Sequence, residues 1–166
     1  RNAESFSATR SRAWDGWNQC AGILRERGAW TSIARVADIG CGNLRFKAFL
    51  DDQLDECPEI WAVDNCTSLL PEAARVHFQE LDIVKTLIED GTLEGKLRVP
   101  PCDLVCAFGV MHHVPDAINR KALFESMLDI TRPGGHVIAS FWQFMNDDRI
   151  ARKALETTKI AIDAYP

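Results

Sequence analysis

Short apolar runs alternate with amphipathic segments through most of this chain, and this alternation restricts its fold more than any other feature. Five runs fit β-strands, at residues 36–39, 60–63, 76–81, 103–108 and 136–142. The runs are mostly continuous, not alternating in polarity, which indicates strands covered by helices on both faces. Strands separated by helices form βαβ units. The pattern therefore predicts an α/β fold, a Rossmann-like doubly wound sheet that is mostly parallel.

Helices are expected before, between and after these strands. Apolar residues recur at helical spacing in four segments, at residues 14–24, 46–50, 117–130 and 148–164. Residues 69–74 also fit a short helix, and residues 131–135 fit a turn. The acidic segment 87–97 is interrupted by glycine and indicates neither a helix nor a strand.

Small and polar residues stand where four of the predicted strands end. In a doubly wound sheet, the carboxyl ends of the parallel strands line one crevice in which ligands bind. The residues expected there are Gly40, Cys41, Gly42, Asp64, Asn65, Asp82, Ile83, Phe108, Gly109, His112 and His113. Their convergence predicts one ligand site at this edge of the sheet.

The loop after the first strand has two glycines but lacks a third. In a dinucleotide site the third glycine allows close helix packing below a pyrophosphate, and here Leu44 and Arg45 occupy its usual positions. Asp38 precedes the loop, at a position where NAD-binding domains usually have an apolar residue. A carboxylate there suits a cationic group, such as the amino group of a methionine moiety. The loop therefore favours S-adenosylmethionine over NAD.

Two further carboxylates suit the nucleoside part of that cofactor. Asp64 lies 22 residues beyond Gly42, near the spacing at which a carboxylate accepts hydrogen bonds from a ribose diol. Asp82 suits either an adenine amino group or the N-cap of the next helix. Ile83 would pack on the adenine ring or belong to the ordinary core.

Five motifs follow one another at consistent intervals over residues 36–142. They are VADIGCG, AVDN, LDI, CDLVCAFGVMHHV and ITRPGGHVIASFW. With these motifs the chain resembles the class I S-adenosylmethionine-dependent methyltransferases. The resemblance implies methyl transfer as the activity, S-adenosylmethionine as the cofactor, and a sheet of seven strands of which the last is antiparallel.

On this basis we assign residues 1–166 to a single methyltransferase domain. Residues 1–34 would form an N-terminal helical lid region and residues 35–145 the cofactor-binding core. Residues 146–166 would form a helix at an incomplete C-terminus, since the resemblance implies two more strands than the sequence contains.

A narrower set of motifs is similar to the tRNA wobble-uridine methyltransferases, which esterify a carboxymethyl group on uridine. The segments SFSATRSRAW, VADIGCGN, MHHV, NRKALFE and RPGG carry this similarity. The chain departs from that family at Leu44 and Arg45, where Gly and Lys are usual, and it lacks a proline before Trp14. The similarity implies a tRNA acceptor and, for some members, a small activating protein partner. A small-molecule acceptor is the alternative.

Three residues have roles that the sequence leaves open. His112 or His113 would act as a general base for a hydroxyl or amine acceptor, or would only line the pocket or cap a helix. A carboxylate acceptor is already ionised and needs no base. Arg10, in the lid region, would bind the methionine carboxylate of the cofactor or remain a solvated side chain.

Trp142 and Phe144 follow the fifth predicted strand, on the side of the sheet where an acceptor is expected. Their rings would either stack on a planar substrate or close the hydrophobic core. Of these two interpretations we favour closure of the core.

Charge and cysteine content narrow the classes of function. The net charge is −5, with +4 in residues 1–50 and −10 in residues 51–95. An acidic chain is a poor general binder of nucleic acid. The six cysteines form no CxxC pair or metal-ligand spacing, so we predict reduced thiols, no metal site and a cytoplasmic location. We expect no membrane association, because no apolar run approaches the length of a membrane span.

Two other classes share these features. An NAD-dependent oxidoreductase would use the same sheet, although the chain has no GxGxxG match. A methyltransferase fold kept only as a cofactor-binding module would also keep Asp38, Gly40, Gly42 and Asp64.

Overall fold

A computed structural model describes residues 13–71, 75–143 and 146–164 of the 166. The strands are β1 Arg35–Ile39, β2 Glu59–Asp64, β3 His77–Glu80, β4 Cys102–Ala107 and β5 Thr131–Ala139. The helices are α1 Asp15–Glu26, α2 Arg45–Gln53, α3 Ile83–Asp90, α4 Ala117–Asp129 and α5 Asp148–Ala164. Short 3₁₀ turns occupy Trp30–Ser32, Thr67–Leu69 and Met111–His113.

The five strands form one sheet in the order β3-β2-β1-β4-β5, and all of its pairs are parallel. The predicted α/β doubly wound fold is therefore confirmed. The strand order reverses between β1 and β4, and at such a point the loops on the two sides diverge and leave a crevice.

Two hydrophobic clusters cover the two faces of the sheet. On one face, Trp17 and Leu24 of α1 and Phe46 and Leu50 of α2 pack against β-strand residues that include Val36. On the other face, α3 and α4 pack against strand residues of opposite parity, such as Ala37 and Val105. Four helices on two faces explain why the strands read as continuous apolar runs.

The third helix was not predicted from the sequence. Ile83 and Leu87, four residues apart, bury one side of α3, and Asp82 and Gly91 cap its two ends. The helix ends at Asp90, so the acidic, glycine-interrupted segment 87–97 contains the last turn of this helix followed by a loop.

The predicted turn at residues 131–135 is instead the irregular beginning of β5. Thr131 pairs with Cys102, and after a shift in register His136 pairs with Leu104. Since Gly134 has a φ of +80°, the bulge absorbs the extra residues without ending the strand. The strand stops at Ala139 and not at residue 142.

Some sequence-based expectations fall outside the described residues. The short helix expected at residues 69–74 includes residues 72–74, and a 3₁₀ turn ends at Leu69. Arg10 and Phe144 also lie outside the described part of the chain. No helix in the described ranges is both long and apolar enough to cross a membrane.

Candidate functional site

A pocket of about 1060 Å³ opens where the strands end. Its volume suffices for a nucleoside-sized ligand together with a second small molecule. The site residues predicted from the sequence all line it within the described chain: Asp38, Gly40, Cys41, Gly42, Asp64, Asn65, Asp82, Ile83, Phe108, Gly109, His112 and His113. The fold thus brings these residues together, while the role of each in binding remains a prediction.

The loop after β1 is built around a residue that has to be glycine. Gly40 has a φ of +73°, and a Cβ on it would lie 2.1 Å from Cγ2 of Val110. Its N–H donates a hydrogen bond to the carbonyl of Val63 at 2.7 Å. Any side chain here would strain the backbone. It would also push away Val110, which lies in the loop after β4.

The missing third glycine leaves the loop intact. Leu44 adopts the left-handed conformation that glycine favours, with a φ of 60°, and it is the N-cap residue of α2. Its side chain is only 3% exposed and packs in the hydrophobic cluster beneath the loop. Burial of this leucine compensates for the left-handed backbone, which costs about 1–2 kcal/mol in a residue with a Cβ.

Asp64, the last residue of β2, joins two loops of the pocket. One of its carboxylate oxygens accepts from the Gly42 N–H at 2.9 Å, and the other accepts from the Cys66 N–H at 3.0 Å. Each carboxylate oxygen has a second lone pair. The side chain is therefore fixed by the protein and still able to accept hydrogen bonds from a ligand diol.

Asp82 performs the capping role that the sequence offered as one of two interpretations. Its Oδ1 accepts from the Lys85 N–H at 2.9 Å, and its Oδ2 accepts from the Asn65 side chain at 3.1 Å. The Lys85 N–H lowers the pKa of this carboxyl. Asp82 also lines the pocket, so capping does not remove it from reach of a ligand. Ile83 is 6% exposed and belongs to the core while touching the pocket wall.

Asp38 is a carboxyl group buried under the glycine loop. It is 3% exposed, and the Cys106 thiol lies 3.5 Å from its Oδ1. Burial raises the pKa of Asp38 to about 7, assisted by the charge of Asp64, although the Cys106 contact acts in the opposite direction. A buried carboxyl that faces a pocket, and for which the described residues show no cationic partner, is suited to receive a cation from a ligand.

Burial also affects the thiols beside this carboxyl. It raises the pKa of Cys41 and that of Cys106, and the negative charge of Asp38 adds to both effects. These cysteines are therefore protonated, unreactive thiols. All six cysteines are free in this structure. Across the described ranges, no group of three or more His, Cys, Asp or Glu side chains could hold a metal ion.

An aromatic wall closes the pocket on the side of α1. Trp14 packs edge-on against Phe108, with ring centroids 6.3 Å apart, and stacks on Trp17 at 5.4 Å. The Arg45 guanidinium lies over both tryptophan rings, at 5.3 and 5.4 Å from their centroids. The sequence drew attention to Arg45 only as a departure from the glycine pattern, but the fold makes it a pocket residue.

Two histidines and a tryptophan line the other side of the pocket. The His112 ring stacks on the Trp142 ring with centroids 4.3 Å apart and planes at 17°, and it lies 4.0 Å from the His113 ring. His112 and His113 form the 3₁₀ turn after β4, and Trp142 follows β5. Both candidate catalytic residues therefore follow β4, whereas Asp64 and Asp82 stand at the ends of β2 and β3, on the far side of β1.

Comparison with known proteins agrees with this geometry. A family model described as "Methyltransferase domain" matches residues 37–137. No curated protein matches the sequence at a significant level. The chain is similar in structure to CalS10, an amino pentose methyltransferase from Micromonospora echinaspora involved in calicheamicin biosynthesis, with a TM-score of 0.57 and 21% identity over 84% of this chain and 56% of that one.

Two further solved structures have the same fold. An S-adenosylmethionine-dependent methyltransferase from Clostridium acetobutylicum aligns with a TM-score of 0.58 and 16% identity, over 83% of this chain and 54% of that chain. A TehB-like methyltransferase from Corynebacterium glutamicum aligns with a TM-score of 0.57 and 15% identity, over 91% and 81% of the respective chains. The chain spans 56% and 54% of the first two structures.

Proposed function

The chain belongs to the methyltransferase domain family, and from this premise we propose that it transfers a methyl group from S-adenosylmethionine to a small-molecule acceptor. The observation that carries the proposal is the pair of carboxyl groups on the two sides of the glycine loop. Asp38 is buried beneath the loop, and Asp64 is hydrogen-bonded to Gly42 within it. An NAD-binding site usually has an apolar residue at the position of Asp38, so the buried carboxyl favours S-adenosylmethionine over NAD.

The residues present fit S-adenosylmethionine by their chemistry. Asp38 would hold the amino group, and Asp64 would accept hydrogen bonds from the ribose diol. Asn65 and Asp82, joined to each other, would contact the adenine. When bound, this cofactor supplies a methyl group activated by a positively charged sulfur. The solved structure of CalS10 contains S-adenosylmethionine, which supports the same choice of cofactor for this fold.

The protein's own contribution to such a reaction is orientation and exclusion of water. Holding two reactants in line supplies several kcal/mol, up to ~10 in ideal cases. The aromatic wall of Trp14 and Phe108 gives the pocket a dry side. His113 would accept the proton released by a hydroxyl or amine acceptor, whereas for a carboxylate acceptor it would only orient the substrate.

The charges around the pocket favour a small acceptor over tRNA. Among the described residues that line the pocket, the basic side chains are those of Arg45 and Lys85. Arg45 lies over two tryptophans, and Lys85 lies 3.9 Å from Glu89. The pocket also contains several carboxylates, which repel phosphates. A tRNA acceptor with its activating protein partner is the second candidate, supported by the sequence motifs SFSATRSRAW and NRKALFE.

Two measurements test the proposal. Calorimetry with S-adenosylmethionine and with NAD should show binding of the first alone. Incubation with labelled S-adenosylmethionine and either a metabolite extract or total tRNA should then label the metabolite fraction. Label in tRNA alone would replace the small-molecule proposal with the tRNA one.

The histidine role has its own test. We expect His113→Ala to lower turnover while S-adenosylmethionine affinity stays the same, because His113 follows β4, away from the carboxylates that would hold the cofactor. If His113→Ala lost S-adenosylmethionine affinity to the same extent as turnover, His113 would belong to the cofactor site.

A further inference from the structure

Trp142 is a large aromatic side chain that does not enter the core. It is 59% exposed, whereas Trp17 and Trp30, which do close the core, are 3% and 4% exposed. Its ring nevertheless has a fixed neighbour, because His112 stacks on it nearly parallel at 4.3 Å. Both residues line the pocket. An exposed ring held flat at the edge of a pocket is a binding surface and not a packing element.

The strand order places this stack away from the cofactor carboxylates. Trp142 follows β5 and His112 follows β4, while Asp64 and Asp82 follow β2 and β3 on the far side of β1. A cofactor held by Asp38 and Asp64 would therefore leave the β4–β5 end of the pocket for the acceptor. The lining residues that follow these two strands are aromatic, apolar or imidazole side chains and glycine, without a carboxylate.

We propose that the Trp142–His112 stack binds an uncharged planar aromatic ring of a small-molecule methyl acceptor, not a base of a nucleic acid. The inference rests on the proposed methyl transfer and names the class of acceptor. A flat ring gains from stacking on tryptophan, and this gain does not require hydrogen bonds or charge. The absence of carboxylates among the described lining residues after β4 and β5 removes the attraction that a cationic acceptor would need.

Two probes of one carbon skeleton test the need for a flat ring. They are 2-naphthol and its saturated counterpart decahydro-2-naphthol, both neutral at pH 7 and each with one hydroxyl group. The protein is first saturated with S-adenosylhomocysteine, so that the probe cannot occupy the adenine end of the pocket. Saturation-transfer NMR titration should show that 2-naphthol binds at least tenfold more tightly than decahydro-2-naphthol.

Variants assign that binding to one side chain. Trp142→Ala should weaken 2-naphthol binding about tenfold or more, since stacking on an aromatic side chain is worth that much, and Trp142→Phe should restore most of it. Phe141→Ala is the matched control: Phe141 is the preceding residue, is 58% exposed, and does not line the pocket. It should bind 2-naphthol like the unmodified protein. Melting temperature and S-adenosylhomocysteine affinity should stay unchanged in all three variants.

Three results would overturn the proposal. Equal binding of the two probes would show that flatness is irrelevant, and equal losses in Trp142→Ala and Phe141→Ala would remove the role of Trp142. A Trp142-dependent affinity for a ten-nucleotide oligouridylate that exceeds the affinity for 2-naphthol would make the ligand a nucleic acid base. Failure of S-adenosylhomocysteine to bind in calorimetry would instead contradict the proposed function. The stacking proposal would then be tested separately, by titrating 2-naphthol into the protein without S-adenosylhomocysteine.

Discussion

The carboxylate of Asp64 accepts a hydrogen bond from the Gly42 N–H at 2.9 Å, and so ties the glycine loop to the end of the neighbouring strand. The two residues are 22 positions apart in the sequence. A side chain proposed to hold the cofactor ribose therefore also sets the shape of the loop beneath the cofactor. Loss of this carboxylate should therefore weaken the cofactor site in two ways. It removes the proposed ribose contact, and it releases the glycine loop.

We predict that Asp64→Ala weakens S-adenosylmethionine binding by about 10- to 100-fold, because hydrogen bonds to a charged group contribute about 1.5–3 kcal/mol each. Isothermal calorimetry measures the change. Asp55→Ala, at an exposed carboxylate outside the pocket, is the control and should bind normally. Unchanged affinity in Asp64→Ala would show that the ribose site has been assigned wrongly.

The buried carboxyl of Asp38 should make stability depend on pH. Its pKa is about 7 in the folded protein against an ordinary 3.8, so the folded state holds its proton where the unfolded state has lost it. The contribution of Asp38 to the free energy of unfolding is therefore largest below pH 4, falls as the pH rises from about 4 to about 7, and is constant above.

Urea unfolding at pH 5 and pH 8 tests this dependence. Asp38→Asn cannot ionise, so it should lose less stability than the unmodified protein between these two pH values. The same decrease in both proteins would assign the pH dependence to other groups.

Gly40→Ala should destabilise the fold through both backbone and packing. A φ of +73° costs about 1–2 kcal/mol in alanine, and overpacking against Val110 adds about 1–3 kcal/mol. Gly28→Ala is a matched control, since Gly28 has a φ of +68° but no atom within 4 Å of the added Cβ. It should lose only the backbone part, as measured by urea unfolding.

The packing part can be isolated with a second substitution. In Gly40→Ala/Val110→Ala the added methyl group gains room, so the double variant should be more stable than the sum of the single effects indicates. Strict additivity would mean that Val110 is not the obstacle.

Asp103 should prove important for stability and irrelevant to the cofactor. It is 5% exposed, accepts hydrogen bonds from the N–H groups of Ala34 and Arg35 at 2.8 and 2.7 Å, and forms an ion pair with Arg132. It lies at the amino end of β4, opposite the pocket. Asp103→Ala should lower the free energy of unfolding by about 1–3 kcal/mol, because it leaves two part-buried N–H donors without an acceptor.

Calorimetry of the same variant should show normal S-adenosylmethionine affinity at a temperature where it is folded. Asp129→Ala, at an exposed position near the end of α4, is the control for loss of one negative charge. A loss of cofactor affinity in Asp103→Ala would contradict this prediction, because it would show that the amino end of β4 influences the cofactor site.

The sequence by itself determined the strands, their parallel arrangement and the group of residues at the strand ends. These depend on local polarity and on a general rule of doubly wound sheets, so Asp38, Gly40 and Asp64 could be identified without coordinates. The same local patterns failed for α3, whose Ile83 and Leu87 carry too short an apolar stripe to stand out, and for the start of β5, where a glycine bulge resembles a turn.

Only the tertiary structure decided what several residues do, because their surroundings come from distant parts of the chain. Leu44 takes a glycine conformation because the core beneath the loop buries its side chain. Asp82 caps a helix while facing the pocket. Arg45 lies over Trp17 of α1 and over Trp14, the N-cap residue of α1. Trp142 is exposed because β5 ends three residues before it, and it is held flat because β4 brings His112 alongside.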